Sequence, residues 1–389
     1  MKTGRILFCI LMVFEAGCFF QPNLEPYGYT DCQTDSDCTA GRYCNLELCT
    51  PPVWYDDNFL VRQLLLVENA STEPLPAQTA VPFRIGEGGL ISVEDLGPDG
   101  RFLLYDHDAY DSENPSAAWE EAPVFRDLYS DFLVAWIPTQ QELQPGDNAT
   151  LSWLYTEHES SESIFVDQPE EVFTFYDDFM TLSGPTSDGG IDDSSGLDDT
   201  LYSVTGPGTP NLSEGKLTIL SDQKFVFTKA LSPPVRVVLY ARLNGLSCSG
   251  VFLGLMGDTG PGDRLPYLGF RVGAGVNLVA DLAPTATGNP ASYALTNPID
   301  APTALHRYSF EIDSGAIRLG ADEEETYARD DLVPPFSDEP LYLTVDVYGG
   351  CSVDIEGIYT SHTRFESPIV TVETAVNSPN PPPENSNAE

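Results

Sequence analysis

Positive charge is what this chain has least of. Across 389 residues there are 18 Lys and Arg against 60 Asp and Glu, a formal net charge of −42, and only four of the cations are lysines. Nucleic-acid binding needs Lys and Arg to displace counterions from phosphates, so that class of partner is excluded. Long apolar runs are missing as well: the unbroken run at residues 6–14 has nine residues, whereas a spanning helix needs roughly 20. Histidines are few, at 107, 158, 306 and 362, with no ligand-like pairing. His158-Glu159 opens like a zinc-protease helix, but Glu162 stands where the second ligand should fall. There is no Gly-x-Ser-x-Gly elbow, and helical patterning is almost absent after Trp54. The acidity is not that of a disordered chain, because 41% apolar and 11% aromatic residues are ample for packed cores.

What is present begins with eight cysteines: Cys9, Cys18, a cluster at Cys32, Cys38, Cys44 and Cys49, and the distant Cys248 and Cys351. Lys2 and Arg5, the apolar run, and then Ala16 and Gly17 have the layout of a signal peptide over 1–17. With Cys9 cleaved away and Cys18 consumed by a lipid, four plus two cysteines remain, and even sets in exported chains read as disulfides. The segment 32–49 is too short for a hydrophobic core, so two bridges would have to hold it, with three pairings open. A zinc site is the alternative, although no CxxC pair is present. A Cys248–Cys351 bridge would close about 100 residues and stabilise by several kcal/mol; a buried thiol pair is its alternative.

From Trp54 onward the pattern has period two. Val235, Val237, Leu239, Ala241 and Leu243 alternate with Arg236, Val238, Tyr240, Arg242 and Asn244, and residues 149–156 alternate likewise. Residues 132–137 and 251–256 are apolar on both faces and read as central strands. Turns are expected at 98–100, 145–147 and 314–315. The chain is therefore expected to be all-β, with two sandwiches, since roughly 320 residues exceed one such domain. The boundary falls near 175, before a Gly/Ser/Asp-rich loop, and a proline-rich tail with nothing to bury occupies 375–389. Asp188, Asp192 and Asp193 in that loop, with Asp258 and Asp263 in another, are candidate oxygen ligands for calcium; solvated acidic loops are the plainer reading. Tyr240, Tyr267, Tyr342 and Tyr348 fall on strands whose wet face would let them stack on sugars, and packing explains them equally.

Several segments resemble known families. Residues 14–18, Phe-Glu-Ala-Gly-Cys, resemble the lipobox of bacterial lipoproteins, with Glu15 where an aliphatic residue is usual. That resemblance implies a lipid on Cys18 and an outer-membrane, surface-exposed protein attached to the membrane through its N-terminus, with plain secretion as the alternative. Residues 18–53, through Cys-Gln-Thr-Asp-Ser-Asp-Cys and Gly-Arg-Tyr-Cys, are similar to the small Cys-rich knots of delta-proteobacterial and myxobacterial surface lipoproteins. Residues 54–175 resemble a bacterial and archaeal domain family of unknown function, numbered 2341, through Trp54, Arg62, residues 64–67, Asp99-Gly100, Ala135-Trp136-Ile137-Pro138 and Leu154-Tyr155. Residues 176–374 look like a concanavalin A-like lectin/glucanase sandwich. They open on Tyr176-Asp-Asp-Phe179, carry Tyr202 where Trp is customary, and end on Val353-Asp354-Ile355.

That fold hosts both lectins and glucanases. Retaining hydrolysis needs two carboxylates about 5 Å apart, and the laminarinase-type enzymes supply them from Glu-x-Asp-x-x-Glu on one strand. Here Glu311-Ile-Asp313 comes nearest, but Ala316 replaces the second Glu. Glu311 and Asp313 are instead expected on the solvent face of a strand that buries Tyr308, Phe310 and Ile312. No catalytic residue is assigned. The expected function is a tethered, non-catalytic, lectin-like module for glycan or envelope-protein ligands. An unrecognised polysaccharide hydrolase and a purely structural envelope component are the alternatives.

Overall fold

In the computed structural model, residues 43–45, 48–50, 61–86, 101–105, 119–128, 132–155, 167–179, 197–213, 215–244, 250–257, 267–272, 278–283, 291–299, 303–313, 316–322, 324–329, 340–363, 369–372 and 376–377 are described. The chain divides into a unit at Met1–Pro52 and a unit at Val53–Glu389. The described part of the first is a hairpin, β1 (Tyr43–Asn45) and β2 (Leu48–Thr50), whose register sets Cys44 opposite Cys49.

The second unit opens with β3 (Val61–Glu68), β4 (Ala80–Gly86), β5 (Arg101–Tyr105), β6 (Trp119–Glu121), β7 (Phe125–Leu128), β8 (Phe132–Pro138) and β9 (Asn148–Tyr155). β4, β8 and β7 form a three-stranded antiparallel sheet in the order β4-β8-β7. It faces a sheet containing β3, β9, β5 and β6, and Leu65, Val67 and Phe102 meet Val81, Phe83, Ala135 and Ile137 in the core between them. Phe83 and Phe102 stack across the gap with centroids 6.1 Å apart. The expected turn at 145–147 is present: Gly146 takes φ +83°, where L side chains are strained, and the Asp147 N–H bonds Gln144 O at 2.9 Å.

A short helix, α1 (Pro169–Val172), leads into the second sandwich. Its strands are β10 (Phe175–Asp177), β11 (Tyr202–Thr205), β12 (Asn211–Ser213), β13 (Lys216–Ile219), β14 (Gln223–Phe227), β15 (Val235–Asn244), β16 (Val251–Met256), β17 (Tyr267–Val272), β18 (Leu278–Ala283), β19 (Ala291–Tyr293), β20 (Leu305–Asp313), β21 (Ala316–Ala321), β22 (Glu324–Arg329), β23 (Tyr342–Val347) and β24 (Ser352–Ser361). One sheet runs β12-β13-β24-β15-β20-β21-β22, with β10 also on β24, and the other runs β11-β14-β23-β16-β17-β18-β19. All their pairings are antiparallel, and the two sheets pack as a jelly-roll sandwich.

The period-two reading of β15 holds: Val235, Val237, Leu239, Ala241 and Leu243 enter the core, where Leu253, Leu255, Phe270, Tyr308, Phe310, Ile312 and Val345 meet them. β16 lies inside the seven-stranded sheet and is buried along its whole length, as a central strand should be. The opening motif is also accounted for. Asp177 accepts the Phe179 N–H at 2.7 Å and the Tyr202 hydroxyl, while Phe179, in the left-handed region at φ +57°, packs its ring against Tyr202 at 5.6 Å. Burial, followed by the Asp177 hydrogen bond and charge, pushes the Tyr202 hydroxyl far above its ordinary value.

Two expectations change. The last strands, β25 (Ile369–Val372) and β26 (Val376–Asn377), belong neither to the second sandwich nor to a tail without structure: both pair with β3 and complete the first sandwich. Val370 packs on that sandwich's core, which is the apolar surface a free tail would lack. The two sandwiches also share an interface. β8 is apolar on both faces because Ala135 and Ile137 fill its own core, whereas Val134 and Trp136 meet Phe173, Val238 and Tyr359. Phe173 stacks on Tyr359 at 4.2 Å, and Arg236 lies 4.6 Å over the Trp136 ring. At the centre, buried Asp127 of β7 accepts the Tyr240 hydroxyl at 2.8 Å and pairs with Arg307 at 2.5 Å.

Candidate functional site

The second sandwich has two outer faces, and alternation along its strands decides what each displays. On the eight-stranded sheet the residues opposite the core form a run of ion pairs. These are Lys216–Asp354 at 3.3 Å, Arg242–Glu356 at 3.5 Å, Arg236–Glu311 at 3.4 Å and Arg318–Glu325 at 3.4 Å. Burial alone would raise the Asp354 carboxyl, but hydrogen bonds from Asn244, Thr218 and Lys216, with the Lys216 charge, hold it below its ordinary value. The first sandwich covers part of this face through Trp136 and Asp127.

Glu311 sits on this face. Its strand does bury Tyr308, Phe310 and Ile312, but its carboxylate is not solvent-facing as expected. Only 15% of the side chain is exposed, because it pairs with the Arg236 guanidinium that stacks on Trp136. Asp313 is register-paired with Ala316 at the hairpin end.

The seven-stranded sheet presents three rows across its outer face. One row reads Val226, Thr344, Gly254, Gly269, Asp281, Ser292; the second reads Lys224, Asp346, Phe252, Arg271, Val279; the third reads Tyr342, Met256, Tyr267, Ala283. Arg271 is ion-paired with Asp281 and donates to the Tyr348 hydroxyl at 3.4 Å; Ser292 donates to the other Asp281 oxygen at 3.0 Å. Asp281 is 2% exposed, so this pairing is what allows a carboxylate to lie there. Gly254 and Gly269 face each other beneath the Phe252 ring. A Cβ on either would lie 2.2 Å from a carbonyl oxygen of the neighbouring strand and under 3 Å from the tip of that ring. Phe252 thus lies over the sheet and meets Tyr267 edge-on at 5.6 Å.

The remaining expected positions divide. Tyr240 is taken by the interface and Tyr267 is buried, while Tyr342 and Tyr348 keep partial exposure on the seven-stranded side. Asp188, Asp192, Asp193, Asp258 and Asp263 lie outside the described residues, as do Cys18, Cys32, Cys38, Cys248, His107 and His158. Among the described residues no group of three His, Cys, Asp or Glu side chains is placed to hold a metal. Asp198, beside that acidic loop, is a turn residue: its carboxylate accepts the Thr200 hydroxyl and N–H, which lower its proton affinity. Cys351 is buried and disulfide-bonded. His306 Nδ1 lies 2.6 Å from Asp322, an internal pair at the start of β20.

Arg271, Asp281, Ser292, Lys224 and Asp346 escaped the sequence reading. The available signal was a charge inside an apolar strand run, Leu268-Gly-Phe-Arg-Val272 and Leu278-Val-Ala-Asp-Leu282. Their meeting in adjacent rows depends on register between separate strands, which no local pattern carries.

No protein-family model matches the sequence, nor does any curated relative. Solved structures do align with about half of it, and the neighbours have jelly-roll folds of the concanavalin A-like glucanase kind. One comes from work on endo-acting O-glycanases that human gut microbiota express to initiate mucin breakdown. It is 15% identical, covers 49% of this chain and 100% of that one, and has a TM-score of 0.38. LamAcat from Zobellia galactanivorans is 15% identical over 49% of this chain and 97% of its own, TM-score 0.36. A β-1,3-1,4-glucanase (lichenase) derived from a mouse hindgut metagenome is 15% identical over 49% and 99%, TM-score 0.34. No residue role transfers from these likenesses.

Proposed function

We propose that this chain is an exported, lipid-tethered binding protein whose second sandwich takes a glycan on the outer face of its seven-stranded sheet, without turnover. The observation that carries this is the asymmetry of the two faces. The eight-stranded face is occupied by internal ion pairs and by the first sandwich, so a ligand is left with the other. There Arg271, held in place by buried Asp281, offers fixed donors and acceptors together with Ser292 and Tyr348, and Tyr342 adds an aromatic surface; such a mix suits sugar hydroxyls. The spacing of the described carboxylates supports the reading without turnover. Among the described residues the carboxylates of this face, Asp281 and Asp346, lie on β18 and β23, three strand spacings apart, or roughly 14 Å. Paired-acid glycoside hydrolysis needs about 5 to 9.5 Å.

Cys18 would carry the lipid, Cys32, Cys38, Cys44 and Cys49 would staple the spacer, and the acidic loops at 188–193 and 258–263 would be the place for any calcium. The test is a polysaccharide and glycan array with the mature protein, with and without calcium, together with analysis of reducing ends. Saturable binding with no product is expected. Released oligosaccharide overturns the non-catalytic reading, and blank arrays in both conditions leave the structural envelope role. Tyr348→Phe and Lys224→Met should weaken binding while stability stays within about 0.5 kcal/mol.

A further inference from the structure

The two sandwiches are not built alike along the chain. Every described strand of the second lies between residues 175 and 361, and among the described residues neither of its sheets borrows a strand from elsewhere. The first takes β3–β9 from residues 61–155 and then β25 and β26 from 369–377. β25 pairs residue for residue with Leu65, Leu66, Val67 and Glu68, and β26 pairs with Val61 and Arg62. On its other side β3 pairs with β9 along its whole length. Without the last segment, Val61-Arg-Gln-Leu-Leu-Leu-Val-Glu68 would be an open edge, mostly apolar, whose N–H and C=O groups lack their second neighbour. Such an edge is poorly stable and prone to pairing with other chains.

The first sandwich leans on the second in another respect. The outward side chains of its three-stranded sheet, Val134 and Trp136 of β8 and Asp127 of β7, are buried against Tyr359, Val238, Tyr240 and Arg307. The second sandwich has a core of its own, drawn from both its sheets.

We propose that residues 369–377 are a strap by which the finished second sandwich closes the first. The first sandwich's fold is then conditional on the chain's last strands, whereas the second forms without them. In a chain made or exported from its N-terminus, the first sandwich stays open until the second is complete.

All four tryptophans, at 54, 119, 136 and 153, precede the second sandwich. Trp136 packs on Tyr359 and Arg236 of the second, so tryptophan emission reports on the first sandwich and its docking, while exchange in β3 and β9 isolates the sheet itself. The experiment places Val370→Pro with Thr371→Pro in the otherwise full-length mature protein. Successive N–H groups of a strand point to opposite edges, so one of the two prolines removes a donor facing β3. Tryptophan emission and region-resolved amide hydrogen exchange are then compared with the unaltered protein. The expected result is a red-shifted emission and loss of protection in β3 and β9, with protection in β15, β16 and β23 unchanged. Unchanged emission and β3 protection would overturn the proposal, and so would loss of protection in both sandwiches together. A chain ending at residue 368 should reproduce the double-proline result; native emission from it would also sink the idea.

Discussion

The two outer faces of the second sandwich are made by the same rule and put to different uses. On the eight-stranded sheet nearly every outward charge has an opposite charge on a neighbouring strand, and the first sandwich adds Asp127 to this set by pairing with Arg307. On the seven-stranded sheet the polar groups gather around one pair, half-buried Arg271 and buried Asp281, within a mostly apolar surface. The difference teaches that one face is an internal joint, whereas the other is the face to which we assign the proposed ligand. Polar groups in a joint need only satisfy each other, whereas a binding face must hold donors and acceptors in fixed positions.

The strongest way to break this contrast is Asp127→Ala. It leaves Arg307 and Tyr240 without their acceptor in the interface, a loss of about 3–5 kcal/mol, read as a lower denaturation midpoint. A loss under about 1 kcal/mol would mean that the joint is not held by this pair. Next comes Gly254→Ala on the other face. The added Cβ would meet the Leu268 carbonyl oxygen and the Phe252 ring, and overpacking of this kind costs about 1–3 kcal/mol. Glycan binding should fall with it, since Phe252 and the β16–β17 pairing must shift; binding at full strength would place the ligand elsewhere.

The smallest effect concerns acid. Asp354 has its carboxyl held below the ordinary 3.8 in the folded protein, so it adds stability above that value and loses it as pH falls through its lowered one. Lys216→Met removes one of its partners and should flatten the fall in unfolding midpoint between about pH 5 and 2. Because Lys216 is 41% exposed, the change at neutral pH should stay under about 1 kcal/mol. An unchanged pH profile would show that Asn244 and Thr218 suffice.

How much of this was legible in the sequence follows the range of the interaction concerned. The alternation of β15 and the two-sided burial of β8 and β16 could be read directly, because the pleat sends successive side chains to opposite faces whatever lies beyond. The hairpin between Asp313 and Ala316 was legible for a similar local reason. Trp136 illustrates the limit. Its strand was clear, yet its burial depends on Phe173 and Tyr359, the latter more than two hundred residues away. Glu311 looks solvent-facing from its alternation for the same cause, since nothing near it in sequence announces Arg236 or the sandwich beyond. The final strands read by themselves as part of the second sandwich and its tail, because a short polar and β-branched segment carries no mark of its partner.

Composition and local pattern alone therefore settled the all-β class and the strands with their inward residues. Both depend on a period of two residues. Tertiary structure decided which outer face carries the joint, which carboxylates are neutralised, and where residues 369–372 and 376–377 belong. Those outcomes depend on register between strands far apart in the chain, and register is settled only when the apolar faces of whole sheets are buried together.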